Sequence, residues 1–362
     1  MGKTTGTTLL AKMGQMSQTV LWNDSCSLRE LASSIEQNGT VGATCNPVIV
    51  LEVLRKEWEL WKDRIPQLIR NNPAASEGEI AWRVTEEMSR KAAELLRPAF
   101  DRSKGRNGRL SIQVDPKAFR DPAALLEQAE RFSRLAPNMI VKIPATQAGI
   151  KAIEEATYRG ISINATVSFT LPQALAVAEA VERGLSRREK EGKDIAAMGP
   201  VCTLMVGRLD DWLKVQAEKE GILTTPGVLD WAGVAVMKKA YRIYQEKGYR
   251  LRLLVAAIRN HLHVSEFIGG DVVISPTFEF QRRFNASDVE VGPRMDVPVD
   301  PAILRELERK FPDFRRACAE DGLTPAEFDT YGATRRTLRQ FCKAVDDLGA
   351  LIRDSLIPDP DL

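Results

Sequence analysis

Eight short apolar runs, each followed by a helical pattern, constrain this chain more than any other feature. They cover residues 19–21, 41–45, 109–114, 139–145, 162–169, 201–206, 251–258 and 272–274. Strict alternation of strand and helix leads to a parallel sheet, because parallel neighbours need a crossover connection between them. Eight units in one stretch without a linker predict a closed (β/α)8 TIM barrel, an α/β fold that often fills a chain of 362 residues. A doubly wound open sheet is the alternative, but no glycine-rich turn follows the first run. After Pro301 the pattern is helical and ends in an amphipathic stretch, 333–357, expected to pack back on the barrel over its active end. The organisation expected is a flexible tail, 1–18, and one barrel domain, 19–362, that includes the additional C-terminal helices.

Lysine, arginine, aspartate and glutamate are interspersed and sum to +2, which implies no nucleic-acid and no membrane partner. Any positive field offered to a substrate must therefore be local. Five cysteines, widely spaced and without a CxxC pair, fit free thiols in a reducing cytoplasm. Gly2-Lys3-Thr4-Thr5 has the residues that end a phosphate loop but not the upstream strand and glycine, so it reads as tail. His261 and His263 are the only histidines, and with no third ligand near them in sequence they read as a loop and no metal. Asp210 and Asp211 suit the first turn of a helix. Cys45, with no histidine partner in view, reads as a small buried hydrophobe.

Within the fourth run, Met139-Ile140-Val141-Lys142-Ile143-Pro144-Ala145, one lysine interrupts a strand buried on both faces. Desolvation lowers the pKa of an ammonium, and a neutral amine attacks carbonyls to form a Schiff base. The bland reading is a strand end whose lysine reaches water along its stem. Its company argues otherwise. At the C-terminal ends of the strands, where barrel sites lie, stand Asp24, Asn46, Gln113, Lys142, Asn164, Thr166, Thr203, Arg208 and Arg259. Asn164 and Thr166 share one side of the pleat. Chemistry suggests Lys142 for the imine, Asp24 for proton transfer, and Asn46, Asn164 and Thr166 for hydroxyls and a water. Arg208 and Arg259 suit a phosphate, unless each simply pairs with Asp210, Asp211 or Glu266.

Together these stretches resemble the transaldolase family of Schiff-base barrels. Leu21-Trp22-Asn23-Asp24 is similar to the family's first strand with its catalytic aspartate, and Ala43-Thr44-Cys45-Asn46-Pro47 to its T-[ST]-N-P motif. Val141-Lys142-Ile143-Pro144-Ala145-Thr146 matches K-I-P-A-T around the Schiff-base lysine, and Ile163-Asn164-Ala165-Thr166 the N-x-T strand. Val206-Gly207-Arg208 and Ala257-Ile258-Arg259-Asn260 resemble the segments that carry two phosphate-binding arginines. The resemblance implies transfer of a dihydroxyacetone unit between sugar phosphates, as in the pentose phosphate pathway, with no metal or organic cofactor. Three positions depart from the family. Gln113 stands where a glutamate is usual and where fructose 6-phosphate aldolases carry glutamine; Met205 replaces an aromatic residue, and Thr203 a serine. An amide can hold a water but cannot ionise it. Release of dihydroxyacetone, action on a modified sugar, and an inactive sugar-phosphate-binding barrel are the alternatives.

Overall fold

The structure is a computed structural model, described over residues 7–358 and residue 360; the Gly2-Lys3-Thr4-Thr5 tetrad lies outside the described residues. All eight runs form strands: β1 (Val20–Leu21), β2 (Gly42–Thr44), β3 (Arg109–Gln113), β4 (Met139–Pro144), β5 (Ile163–Ser168), β6 (Val201–Leu204), β7 (Arg252–Val255) and β8 (Val272–Ile274). Each pairs in parallel with the next, and β1 pairs with β8. The last seam closes where Asn23 donates its N–H to Gly42 O and accepts from Thr44 N–H, both at 2.9 Å. Helices cover the outside of this closed barrel, and most of the apolar core lies between them and the strands.

The pleat decides what lies inside. Trp22, Ile140, Val201, Leu254 and Val273 meet in the barrel as an apolar plug. Trp22 fills so much of it that a Cβ on Gly42 would lie 2.3 Å from the indole, so only glycine fits there. Two residues further along the same strands, the same parity delivers Asp24, Lys142, Thr203, Ala256 and Ser275. On four of these five strands the barrel interior thus passes from apolar to polar within one residue pair, while at the end of β7 Ala256 continues the apolar plug.

Several elements differ from expectation. Three helices follow β2, where one continuous amphipathic pattern runs from Pro47: Pro47–Lys56, Trp58–Trp61 and Arg64–Asn71. Pro66 has no N–H to continue a helix but fits a first turn, so a new helix starts just before it. Ser27 caps its helix by accepting from Glu30 N–H at 3.2 Å, yet no capping box forms. Glu30 pairs with Lys56 instead. A complete box forms at Ser76 and Glu79, opening the helix Glu77–Arg102.

Part of the stretch expected as a flexible tail, 1–18, is helical. Leu9–Met16 is a helix capped by Thr8, because Leu10 and Met13 fall on one face and are buried. The C-terminal helix runs Gly332–Leu356. It packs on the helices Pro47–Lys56, Glu77–Arg102 and Val206–Glu220 and reaches β5. That path carries it over the C-terminal end of the barrel. No helix among the described residues is long and apolar enough to cross a membrane.

Candidate active site

Lys142 projects from the middle of β4 and is 1% exposed. No ion pair holds its ammonium among the described residues. Burial pushes its pKa below the usual lysine range; Arg208 acts in the same direction, while Asp24 and Cys45 oppose. Its neighbours are set by register, with Gln113 on β3 and Asn164 on β5 directly beside it. Asn164 is held at both ends of its amide: its Nδ2 donates to Ser111 Oγ at 2.9 Å, and its Oδ1 accepts from Thr203 Oγ1 at 2.7 Å. These bonds tie β3, β5 and β6 together under the lysine.

Asp24 follows β1 and is half-buried, its backbone N–H bound to Pro276 O at 3.0 Å. Thr44 Oγ1 donates to its Oδ1 at 2.5 Å, and Ser275 Oγ lies 2.9 Å from the same Thr44 oxygen. Since Thr44 gives its one proton to the carboxylate, Ser275 donates to Thr44. Burial raises the Asp24 pKa, against the lowering by Lys142, by the Thr44 hydrogen bond and by both arginines. A lowered amine and a raised acid therefore face one polar layer.

Gln113 is 3% exposed, and neither its Oε1 nor its Nε2 has a hydrogen-bond partner. It lines a cavity with Cys45, Asn46, Trp82 and Leu348 that leaves about 20 Å³ for the centre of a water, room for one molecule. Asn46 uses its Oδ1 to cap the helix Pro47–Lys56, accepting from Val48 and Ile49 N–H. Cys45 is a buried free thiol in the apolar cluster that includes Cys26. Thr166, buried on β5, has its hydroxyl 3.8 Å from Met205 Sδ.

Just past Thr166 the β5–β6 register shifts, and Val167 takes φ 53°. A β-branched residue there is strained, and a bulge of this kind re-aims its neighbours. Gln173 holds it in place. Its Nε2 donates to Val167 O at 3.0 Å and to Ala145 O at 3.1 Å, joining the bulge to the end of the lysine strand.

The arginines sit later than the strand ends assigned from sequence. β6 stops at Leu204, so Arg208 lies in the first turn of the helix Val206–Glu220, and Arg259 follows β7 in a loop. That turn has no side-chain cap, because Met205 at its N-cap offers no acceptor. Arg208 donates from Nη1 to Gln340 at 2.6 Å and lies over the Phe341 ring, while its Nε is buried without a partner. Burial lowers its pKa to about 10, helped by Arg259 and Arg336. Arg259 pairs with Asp211 at 3.0 Å, one of the carboxylates anticipated for it.

A buried pair fixes the spacing of the two arginines. His263 is in the short helix Leu262–Ser265 rather than a loop. Its Nδ1 accepts from Arg259 N–H at 3.1 Å, so its Nε2 carries the proton donated to Asp210, 2.8 Å away. Asp210 also accepts from Gly233 N–H, and burial raises its pKa. Gly207 lets the two segments touch, since a Cβ there would lie 2.1 Å from Ala257 O. The structure brings Asp24, Asn46, Gln113, Lys142, Asn164, Thr166 and Thr203 to the barrel mouth and leaves both arginines on its rim. Sequence reasoning missed the supporting set: Ser111, Thr44 and Ser275, legible by strand parity, and Gln173, His263 and Asp210, which carry no local signal.

Known proteins resemble the chain in the same terms. The family model described as transaldolase/fructose-6-phosphate aldolase matches residues 21–309. The transaldolase of Thiobacillus denitrificans is 35% identical over 246 residues, 66% of each chain. Transaldolase 1 of Streptomyces coelicolor is 32% identical over 249 residues, 66% of this chain and 65% of its own. The transaldolase of Kocuria rhizophila is 29% identical over 233 residues, 62% of each. The matched stretch thus spans a little under two thirds of these relatives.

Proposed function

The chain belongs to the transaldolase/fructose-6-phosphate aldolase family, and on that footing we propose that it transfers a dihydroxyacetone unit between sugar phosphates through an imine on Lys142. The observation that carries this reading is a buried, unpaired lysine whose pKa is depressed, set beside a carboxyl whose pKa is raised. The neutral amine attacks the C2 carbonyl of a ketose phosphate such as fructose 6-phosphate, and the carbinolamine loses water to give an iminium. Asp24 takes the proton of the C4 hydroxyl, the C3–C4 bond breaks, and its electron pair enters the iminium to leave an enamine. The departing aldose phosphate makes room for an acceptor aldehyde. The enamine attacks it, Asp24 returns the proton to the new alkoxide, and water then frees the product from Lys142.

Asn46 and Asn164 hold substrate hydroxyls in this scheme, and Thr166 and Gln113 hold the water consumed and released. Thr203 sets Asn164. Arg208 and Arg259 take the phosphate beside the uncapped first turn of the helix Val206–Glu220, whose free N–H groups favour an anion. Five free thiols suit a reducing cytoplasm for this chemistry. A second reading, cleavage with release of dihydroxyacetone, is favoured by one observation: Gln113 cannot titrate where the family usually has an acid. The test is an assay with fructose 6-phosphate, with and without erythrose 4-phosphate. Transfer gives a seven-carbon ketose phosphate only when the acceptor is present. Dihydroxyacetone formed without acceptor, at an equal rate, would favour the second reading, and no turnover under either condition would overturn both.

A further inference from the structure

We propose that the C-terminal helix Gly332–Leu356 belongs to the substrate site, with Arg336 as a third guanidinium of the anion subsite and Gln340 as the residue that positions Arg208. The proposal rests on the phosphate role given above to Arg208 and Arg259. This helix lies beyond residues 21–309, which the family model matches.

Four observations meet here. Arg336 and Gln340 are four residues apart and share one stripe of the helix. Gln340 accepts from Arg208 Nη1 at 2.6 Å, and Phe341, next to it, lies under the same guanidinium at 5.3 Å, which fixes where that stripe points. One turn before Gln340, Arg336 stands on the same helix as the Arg208 contact and lines a hollow with Trp212, Lys219 and Asp313. Arg259 has Asp211 as partner, whereas neither Arg208 nor Arg336 has a carboxylate within 4.0 Å among the described residues. Asp211 is the one carboxylate paired with these arginines among the described residues, and an anion would offset the remaining positive charge. Arg208 Nε is buried without a hydrogen-bond partner among the described residues. After burial, Arg259 lowers the Arg208 pKa, Asp211 and Asp24 raise it, and Arg336 lowers it least.

A phosphate monoester dianion fits such a group of cations. The roles of the two new residues differ. Arg336 is exposed and adds charge at the entrance, while Gln340 is neutral and holds the Arg208 fork without consuming its charge. A carboxylate at 340 would pair with Arg208 and compete with the ligand.

The experiment uses the full chain with inorganic phosphate as probe, titrated calorimetrically, together with KM and kcat for a ketose phosphate. Arg336→Ala is expected to weaken phosphate binding and raise KM by about three- to ten-fold, less than a buried charge-assisted contact because Arg336 is exposed, with kcat little changed. Arg336→Lys should recover most of the loss. Gln340→Glu should weaken phosphate more than Gln340→Ala does. Trapping of unphosphorylated dihydroxyacetone by cyanoborohydride should be unchanged in all four variants, which also confirms that each folds. Wild type that binds phosphate equally well after Arg336→Ala and Gln340→Glu would overturn this proposal alone. Wild type that binds no phosphate would remove the subsite itself, and the role of the helix with it.

Discussion

The site holds cations in two opposite ways. Lys142 is buried in the barrel with no counter-ion, and desolvation moves it toward the neutral amine. Arg259 stands at the rim, partly exposed and paired with Asp211, and Arg208 remains charged even with its pKa lowered to about 10. The first arrangement suits a nucleophile and the second suits an anion. They are built on different scaffolds as well. Lys142 is fixed by a strand register and by hydrogen bonds across β3, β5 and β6, whereas the arginines hang on a helix start and a loop, braced by the buried His263–Asp210 pair. If the division is real, substitutions on the two sides must separate chemistry from phosphate recognition.

The largest effect is expected from Lys142→Arg. Guanidinium cannot lose its proton at working pH, so imine trapping and turnover should both vanish while inorganic phosphate still binds. Retained labelling in this variant would move the nucleophile elsewhere. Next comes Arg259→Ala, which should remove a charge-assisted contact of about 1.5–3 kcal/mol, or about 10- to 150-fold in kcat/KM, for a phosphorylated ketose. The loss should be much smaller for an unphosphorylated ketose. Equal losses on both substrates would erase the distinction between the two sides.

Gln113→Glu probes the lysine side alone. It should shift the ratio of transfer to release toward transfer, measured with erythrose 4-phosphate as acceptor, and add a titrating group to the pH profile. An unchanged ratio and profile would mean that Gln113 does not decide the reaction. The smallest effect is expected from Thr44→Val, which keeps the shape but removes the hydroxyl that donates to Asp24. That bond lowers the Asp24 pKa, so losing it raises the pKa further. In the proposed scheme Asp24 is ionised when it takes the C4 proton, so the acid limb of kcat/KM should move to higher pH. A limb that stays in place or moves down would disconnect Thr44 from the titrating group.

The same contrast explains what could be read from the sequence. The lysine side was legible because strand parity is local: once Trp22 and Ile140 are assigned inward, Asp24 and Lys142 follow two residues on. The rim was less legible. Arg208 was assigned to a strand because 201–206 is a continuous apolar run, and only tertiary packing ends the strand at Leu204 and starts a helix at Val206. His263 and Asp210 are 53 residues apart, and no pattern in either segment announces that they meet. The pairing of Arg259 with Asp211 was one of several alternatives that charge alone could not separate. Leu9–Met16 was missed because only Leu10 and Met13 are buried, and a segment of eight residues is too short to show a clear helical period.

The central claim is that burial turns Lys142 into the nucleophile, and cyanoborohydride trapping of dihydroxyacetone across pH tests it most directly. Lys142 alone should carry the reduced adduct, with a trapping midpoint clearly below the ordinary lysine value of about 10.4. An adduct on another lysine, or a midpoint at the ordinary value, would contradict the account.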